Sequence, residues 1–374
     1  MEATPEQVHL VMVHYRCEEE LARALASVAA DAGRGPLAER LRTWVVDNGA
    51  TPGKEPAAGG LPLDPVILRP GENLGFGRAC NLALERIEAG TVIFLNPDTR
   101  ILPGTLAALL APLASRRVGA VGSRLYLDDD LRFTVSEPLD LTPFLPCRAR
   151  LKERAPWLGL ERRELVRRHR FVTGKEPRKT NMLCGACMAL RRETLAEVGG
   201  FHPGFFMYFE DQDLLRKIRR AGYRLVHNPA ARVVHYYDRS ARQAGADKEK
   251  WIGDSHRLFL GRNFGPLQRG AAVLAGRVAA RLPARPRGGE IVQDRAEPSL
   301  LRLNAKAPWE PPWFFEFSEG PNYDITACTL VKGPSWRLPG PVWEDLVPKR
   351  YWTRLSRPDL GGPIFHGVME KGPS

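Results

Sequence analysis

VHLVMVHYRCEEELARALASVAA (residues 8–30) is followed by TWVVDNG (residues 43–49) and by TVIFLNPDT (residues 91–99), and the reading of this repeat decides the fold. Val8 to Val13 is a short, continuously apolar strand that ends on His14-Tyr15-Arg16. Leu21, Leu25 and Val28 then fall on one side of a helix from about Glu18 to Ala30. The unit recurs. Thr43 to Val46 is a second buried strand ending on Asp47-Asn48-Gly49, and Pro65 to Leu68 is a third, running into Asn73-Leu74-Gly75-Phe76-Gly77 and a helix from Arg78 to about Ile87. Thr91 to Leu95 is the fourth strand, ending on Asn96-Pro97-Asp98-Thr99, with a helix after Pro103, because proline suits a first turn. This alternation predicts an α/β protein with an open, mostly parallel, Rossmann-like sheet whose ligands gather at the carboxyl ends of its strands. Those ends carry His14 and Tyr15, Asp47 and Asn48, Asn73 with its glycines, and Asp98.

Further along, Phe205-Phe206-Met207-Tyr208-Phe209 delivers Glu210, Asp211, Gln212 and Asp213 to the start of another helix. Leu214, Leu215, Ile218 and Ala221 fall on one face, Arg216, Lys217, Arg219 and Arg220 on the other, and Gly222 supplies the stop. Acids in the first turn and bases toward the last complement the helix dipole. An aspartate here is ordinarily an N-cap. Set behind five large apolar residues, it is also partly desolvated, and burial raises a carboxylate's pKa toward the range of a general base. The residues alone leave both readings open.

At 374 residues and 43% apolar content the chain can build one large domain and an appendage, and it is not a disordered protein. A net charge of +12 and a pI near 9.7 call for an acidic partner: nucleic acid, an anionic membrane surface or a phosphorylated substrate. The six cysteines are not arranged as a disulfide framework and no signal peptide precedes them, so the expected compartment is the reducing cytoplasm. No apolar stretch approaches the roughly 20 residues of a spanning helix, which restricts membrane contact to a peripheral one on the inner face. A nucleic-acid-binding role lacks a recognition motif, so no nucleic acid is expected as partner. A sugar-phosphate nucleotidyltransferase would carry a glycine-rich basic loop after the first strand, where this chain has His14-Tyr15-Arg16-Cys17.

Taken in order, VVDNGAT, NLGFGRACN, FLNPDT, GACMALRRETLAEVGGF, FFMYFEDQDLLRKIRRAGY and VVH resemble the family 2 glycosyltransferases of the GT-A fold, in the rhamnosyltransferase-like branch that builds bacterial cell-surface glycans. The resemblance spans about Val8 to Gly265. It implies an inverting transfer from a nucleotide-diphospho-sugar, with dTDP-rhamnose the preferred donor, to a glycan or polyprenyl-diphosphate-linked acceptor. It assigns Asp47 to the nucleotide base, with Asn73 helping, and His14, Tyr15 and Gly75 to the same nucleotide-sugar site. Asp98 and His235 become ligands of Mg²⁺ or Mn²⁺, a plausible pair for a hard cation that keeps positions for diphosphate and water. Asp211, beside Glu210, becomes the catalytic base. Apart from the resemblance, Arg239 and Arg242 read either as a clamp on the departing diphosphate, as forked guanidiniums suit phosphate oxygens, or as surface charges. The chain departs from the pattern at Asn96-Pro97-Asp98, where an acid-any-acid motif is usual, and at His202, where relatives carry an acid.

Three features lie outside that block. Between Asp128 and Lys179 the rhythm breaks into an arginine-rich segment, read as an acceptor-side lid or a solvated basic face. Pro266 to Arg287 alternates arginines with apolar residues in the manner of an interfacial helix, and Gly288-Gly289 marks a linker. Residues 290–374 hold five of the eight tryptophans and read as a small β-rich appendage with the tryptophans in its core. The division expected is therefore 1–265, 266–289 and 290–374. Cys184 and Cys187 have the spacing of half a zinc site without a second half, and Cys187 is expected to be a packing residue.

Overall fold

In the computed structural model, residues 6–49, 61–236, 247–283, 290–304, 312–319, 326–346, 348–358 and 364–372 are described. The chain runs β1 (Val8–His14), α1 (Glu18–Ala32), α2 (Pro36–Arg40), β2 (Leu41–Asp47), β3 (Val66–Leu68), α3 (Phe76–Leu84) and β4 (Thr91–Leu95). It continues through β5 (Thr99–Ile101), α4 (Thr105–Leu110), β6 (Val118–Tyr126), β7 (Thr134–Val135), α5 (Leu145–Arg154) and α6 (Leu160–Thr173). Next come β8 (Arg178–Thr180), β9 (Cys187–Arg191), α7 (Arg192–Val198), α8 (Glu210–Arg220), β10 (Arg224–His235), α9 (Asp247–Asn263) and α10 (Pro266–Ala280). The last part holds β11 (Ile291–Gln293), β12 (Leu300–Leu303), β13 (Trp313–Ser318), β14 (Thr326–Val331), β15 (Ser335–Arg337), α11 (Gly340–Asp345), β16 (Arg350–Ser356) and β17 (Ile364–Glu370).

Two compact units result, one from Met1–Leu125 and Lys175–Asn263, the other from Tyr126–Gly174 and Phe264–Ser374. In the first, β3, β2, β1 and β4 lie side by side and parallel. Beyond β4 the sheet adds β9 and then β6, each antiparallel to its neighbour. β4 is buried at every position, which is why its sequence is a continuous rather than an alternating apolar run. His14 stands opposite Asp47 across β1 and β2, so the two strand ends are level. Val11, Phe94, Met188, Leu214 and Ile218 share one core, and through it α8 is fixed against the sheet. Ala221, expected on the buried face of α8, lies just past the helix end and is exposed.

In the second unit β14, β13, β16 and β17 form an antiparallel sheet. Trp313, Phe315, Trp336, Tyr351 and Leu355 make its core, as the tryptophan-rich composition predicts. Residues 126–174 cluster with residues 264–374, which themselves form one unit. A buried ion network links the two stretches. Glu164 of α6 lies 3.0 Å from Arg168 and 3.0 Å from Lys152, while Arg354 of β16 grips Glu316 of β13 at 2.8 and 3.0 Å and reaches Glu161 at 3.0 Å. Arg168 and Lys152 are buried, so this basic segment is not a solvated face throughout. The interfacial helix ends at Ala280; Arg285 and Arg287 lie outside the described residues.

Candidate active site

The end of β2 is fastened by its neighbours. Gly49 N–H donates to Asp47 Oδ1 at 3.1 Å, and His14 Nε2 lies 4.0 Å from the same oxygen and 3.6 Å from Glu18. His14 is buried; burial lowers its pKa, against the charges of Asp47 and Glu18 that oppose the shift. Its imidazole thus stands beside the Asp47 carboxylate at the level strand ends. Asp47 Oδ2 is buried without a hydrogen-bond partner, and Arg69 Nε stands 4.0 Å away. Tyr15 is half-buried under the Arg16 guanidinium, 5.2 Å from the ring centre.

Asn48 joins this strand end to the next loop. Its side chain donates to the Gly75 carbonyl at 3.0 Å and accepts from Leu74 N–H at 3.3 Å, while Asn73 Oδ1 accepts from Gly75 N–H at 3.0 Å. Gly75 has φ 75°, and an added β-carbon would run into the Phe206 carbonyl, so only glycine fits. The same carbonyl accepts from Phe76 N–H at 3.0 Å. The loop that borders Asp47 is thus tied to the apolar run preceding Glu210 and Asp211.

Asp98 follows β4 and is buried; its carbonyl accepts from Tyr236 N–H at 3.0 Å. His235 pairs with Thr99 across β10 and β5, which brings its Nε2 to 3.3 Å from Asp98 Oδ1. Two neighbouring ligands of one octahedral ion with bonds of about 2.1 Å stand about 3.0 Å apart, so a carboxylate and an imidazole at this separation fit a divalent cation. Among the described residues no group of three or more His, Cys, Asp and Glu could hold a metal ion. Arg239 and Arg242 lie outside the described residues.

Asn96 N–H donates to Ala186 O at 2.9 Å, setting the end of β4 beside the segment Cys184–Ala186. Gly185 N–H in turn donates to Asp211 Oδ2 at 3.1 Å, and Gln212 N–H donates to Asp211 Oδ1 at 2.7 Å. Burial pushes the Cys184 thiol up to about 12, with the charges of Asp211 and Asp98 adding. Tyr208 and Phe209 have φ 69° and 65°, a left-handed pair that side chains of this size rarely adopt and that lies directly before the acid pair. The N-cap of α8 is Phe209, with no side-chain cap. Asp213 has another task, accepting from Asn263 Nδ2 at 2.8 Å and so fastening α8 to α9.

The two acids differ in surroundings. Asp211 is half-buried and receives two backbone N–H groups; Glu210 is buried, and its Oε2 has no hydrogen-bond partner. Burial raises both, and the charge of Asp211 raises Glu210 further, whereas the N–H groups of Gln212 and Gly185 hold Asp211 back. Both acids therefore lie above the usual carboxylate range, and Glu210, which also feels the charge of Asp211, is raised to about 8.

The sequence pattern described as "Glycosyl transferase family 2" matches residues 9–199, from β1 through α7. The chain belongs to glycosyltransferase family 2. The transferase is 31% identical over 277 residues, 67% of this chain and 83% of the relative, to the N-acetylglucosaminyl-diphospho-decaprenol L-rhamnosyltransferase of Mycobacterium tuberculosis. It is also 24% identical over 198 residues, 50% of this chain and 70% of the relative, to rhamnosyltransferase WbbL of Escherichia coli. Among solved structures, the mannosyltransferase PcManGT of Pyrobaculum calidifontis, in complex with GDP-Man and Mn²⁺, matches with 19% identity and a TM-score of 0.44, covering 76% of this chain and 78% of that one.

For this glycosyltransferase the sequence points to Asp47, Asn73, Asp98, Asp211 and His235, and misses the groups that hold them. Gly185 acts through its backbone N–H, which has no side-chain signature. The bridging role of Asn48 depends on residues 26 and 27 positions away. His202, at the unusual position, accepts from Gly204 N–H at 3.1 Å and meets Phe205 edge to face.

Proposed function

We propose that this glycosyltransferase moves a deoxysugar, rhamnose, from a nucleoside diphosphate to a hydroxyl of a polyprenyl-diphosphate-linked glycan, with inversion at the anomeric carbon, in the synthesis of cell-surface polysaccharide. The observation that carries the reading is Asp211: a half-buried carboxyl, raised by burial, that receives two backbone N–H groups and has no cation partner among the described residues. Such a group can take the proton of an acceptor hydroxyl. The freed oxygen forms a bond to the anomeric carbon from the face opposite the diphosphate, the carbon–oxygen bond to the diphosphate breaks, and its electron pair departs with the nucleotide. Asp47 Oδ2, buried and lacking a hydrogen-bond partner, suits an N–H of a pyrimidine base. Asp98 and His235 would hold Mg²⁺ or Mn²⁺, which supplies positive charge against the leaving diphosphate. The names of the two rhamnosyltransferases support the choice of sugar, and the decaprenol relative supports the lipid-linked acceptor.

Hydrolysis of a panel of nucleotide sugars by the purified protein, with Mg²⁺ or Mn²⁺, tests the donor without requiring the acceptor. The reading predicts preference for dTDP-rhamnose and loss of turnover in EDTA. Equal turnover of hexose donors would overturn the choice of sugar, and turnover unaffected by EDTA would remove the metal.

A further inference from the structure

We propose that the paired helices α5 and α10 form a docking surface for an anionic lipid bilayer. The proposal deepens the lipid-linked acceptor reading and rests on it for its biological role, though its observations are separate. On α10 the buried residues are small: Ala272, Gly276 and Ala279. A β-carbon at Gly276 would stand 3.4 Å from an Arg150 nitrogen of α5, and Arg154 of α5 donates to the carbonyls of Ala280, at 2.6 Å, and Leu282. These contacts advance together along both helices, which are therefore parallel. With the small residues turned inward, the large ones are left bare. Leu267, Leu274 and Val278 are 88, 62 and 55% exposed, and their spacing of seven and four residues puts them on one stripe.

Cations border that stripe. Arg277 and Arg281 are exposed, each three residues beyond Leu274 or Val278, and so on the neighbouring strip of the helix surface. The arginines and the apolar stripe thus share the outward side of α10 and do not divide it into opposite faces. Trp157, 67% exposed, and Leu158, 42%, follow the end of α5, where Arg154 meets the end of α10. An apolar stripe with an aromatic residue at one end calls for a partner. Arginines along its edge require that partner to be anionic as well. A bilayer meets both demands: leucine and valine enter the acyl boundary, tryptophan sits among the headgroups, and guanidiniums meet phosphates. A second copy of the chain would oppose the same arginines across a two-fold axis. No helix among the described residues is long and apolar enough to cross the membrane, so this contact lies on its surface.

Co-sedimentation of the full chain with phosphatidylglycerol-containing vesicles and with phosphatidylcholine vesicles tests the surface. The wild type is expected to pellet with the first and not the second. Arg277→Gln with Arg281→Gln should weaken binding about 25-fold, at about 5-fold per charge, and added salt should act in the same direction. Leu267→Gln with Leu274→Gln should weaken it by about 10-fold or more, with nucleotide-sugar hydrolysis unchanged in both variants. Should the leucine variant fail to fold, quenching by brominated lipid that is present in wild type and reduced in Trp157→Phe carries the same test. Equal pelleting of wild type and both variants, equal binding to neutral vesicles, or a dimer dispersed by the leucine changes without any vesicle binding would each overturn the proposal. Vesicle binding without turnover of any nucleotide sugar strikes the donor reading and leaves the surface; turnover without vesicle binding does the reverse.

Discussion

Glu210 and Glu164 are both buried glutamates at helical positions, and their surroundings send them in opposite directions. Around Glu164, burial pushes the carboxyl up, but Arg168, Lys152 and Arg354 together outweigh it and hold the group at about 2. Around Glu210, burial is joined by the like charge of Asp211, and the carboxyl rises. Burial is common to the two sites, so the nearby charges decide the sign. Where cations surround the acid, the charges cross-link α6 to β13 and β16, and the site serves the fold. Where two acids share one place and receive only backbone N–H groups, folding is opposed and a proton is left ready to move. The left-handed Tyr208 and Phe209 add strain at the same site.

The largest effect expected from this contrast is on stability. Glu164→Ala removes the buried carboxylate that Arg168 and Lys152 share and should cost about 3–5 kcal/mol, seen as a lower midpoint in urea. Little effect of Glu164→Ala on that midpoint would remove the cross-link. The pH dependence has a definite sign. Because the folded pKa of Glu164 lies below its unfolded value, its stabilisation is present above about pH 4.5 and disappears as pH falls toward about 2, roughly 3 kcal/mol in all. Glu164→Gln should flatten that part of the acid limb. Glu210 has the reverse sign: its raised folded pKa contributes stability below about pH 4.5 that is lost as pH rises through the folded value. Glu210→Gln should therefore gain stability relative to wild type at pH 8 and not at pH 4.

On donor binding, Asp98→Ala should lower metal-dependent affinity on the order of 10-fold or more by calorimetry, with His235→Ala weaker. Affinity that is the same with and without EDTA in the wild type would contradict both. The smallest effect is expected for Glu210→Gln on turnover, since a neutral amide replaces a neutral acid: a change within about 10-fold at pH 7. Inactivity of a folded Glu210→Gln protein would instead place the working charge on Glu210.

Much of the first unit can be read from the sequence because each parallel strand announces itself as an apolar run and releases its polar residue at its end, as Val45-Val46-Asp47 and Phe94-Leu95-Asn96-Pro97-Asp98 do. The second unit resists the same treatment. Arg168 is separated by 148 residues from Glu316 and by 158 from Thr326, and a composition of arginines and glutamates looks like a solvated surface until those partners meet. In the site itself the side chains that act stand out, while the groups that tune them do not: Gly185 N–H, the Phe206 carbonyl under Gly75, and the missing partner of Glu210 are matters of backbone position and packing. His14 illustrates the same limit: its burial beside Asp47 follows from the packing and has no mark in the sequence.

The account rests most heavily on Asp211 as the group that accepts the acceptor's proton. Asp211→Asn preserves shape and one hydrogen-bond acceptor but removes basicity, so single-turnover transfer from saturating dTDP-rhamnose to a lipid-linked acceptor should fall on the order of 10²-fold or more, while donor affinity and the unfolding midpoint stay at or above the wild-type values. Transfer at near the wild-type rate by a folded, donor-binding Asp211→Asn protein would contradict it.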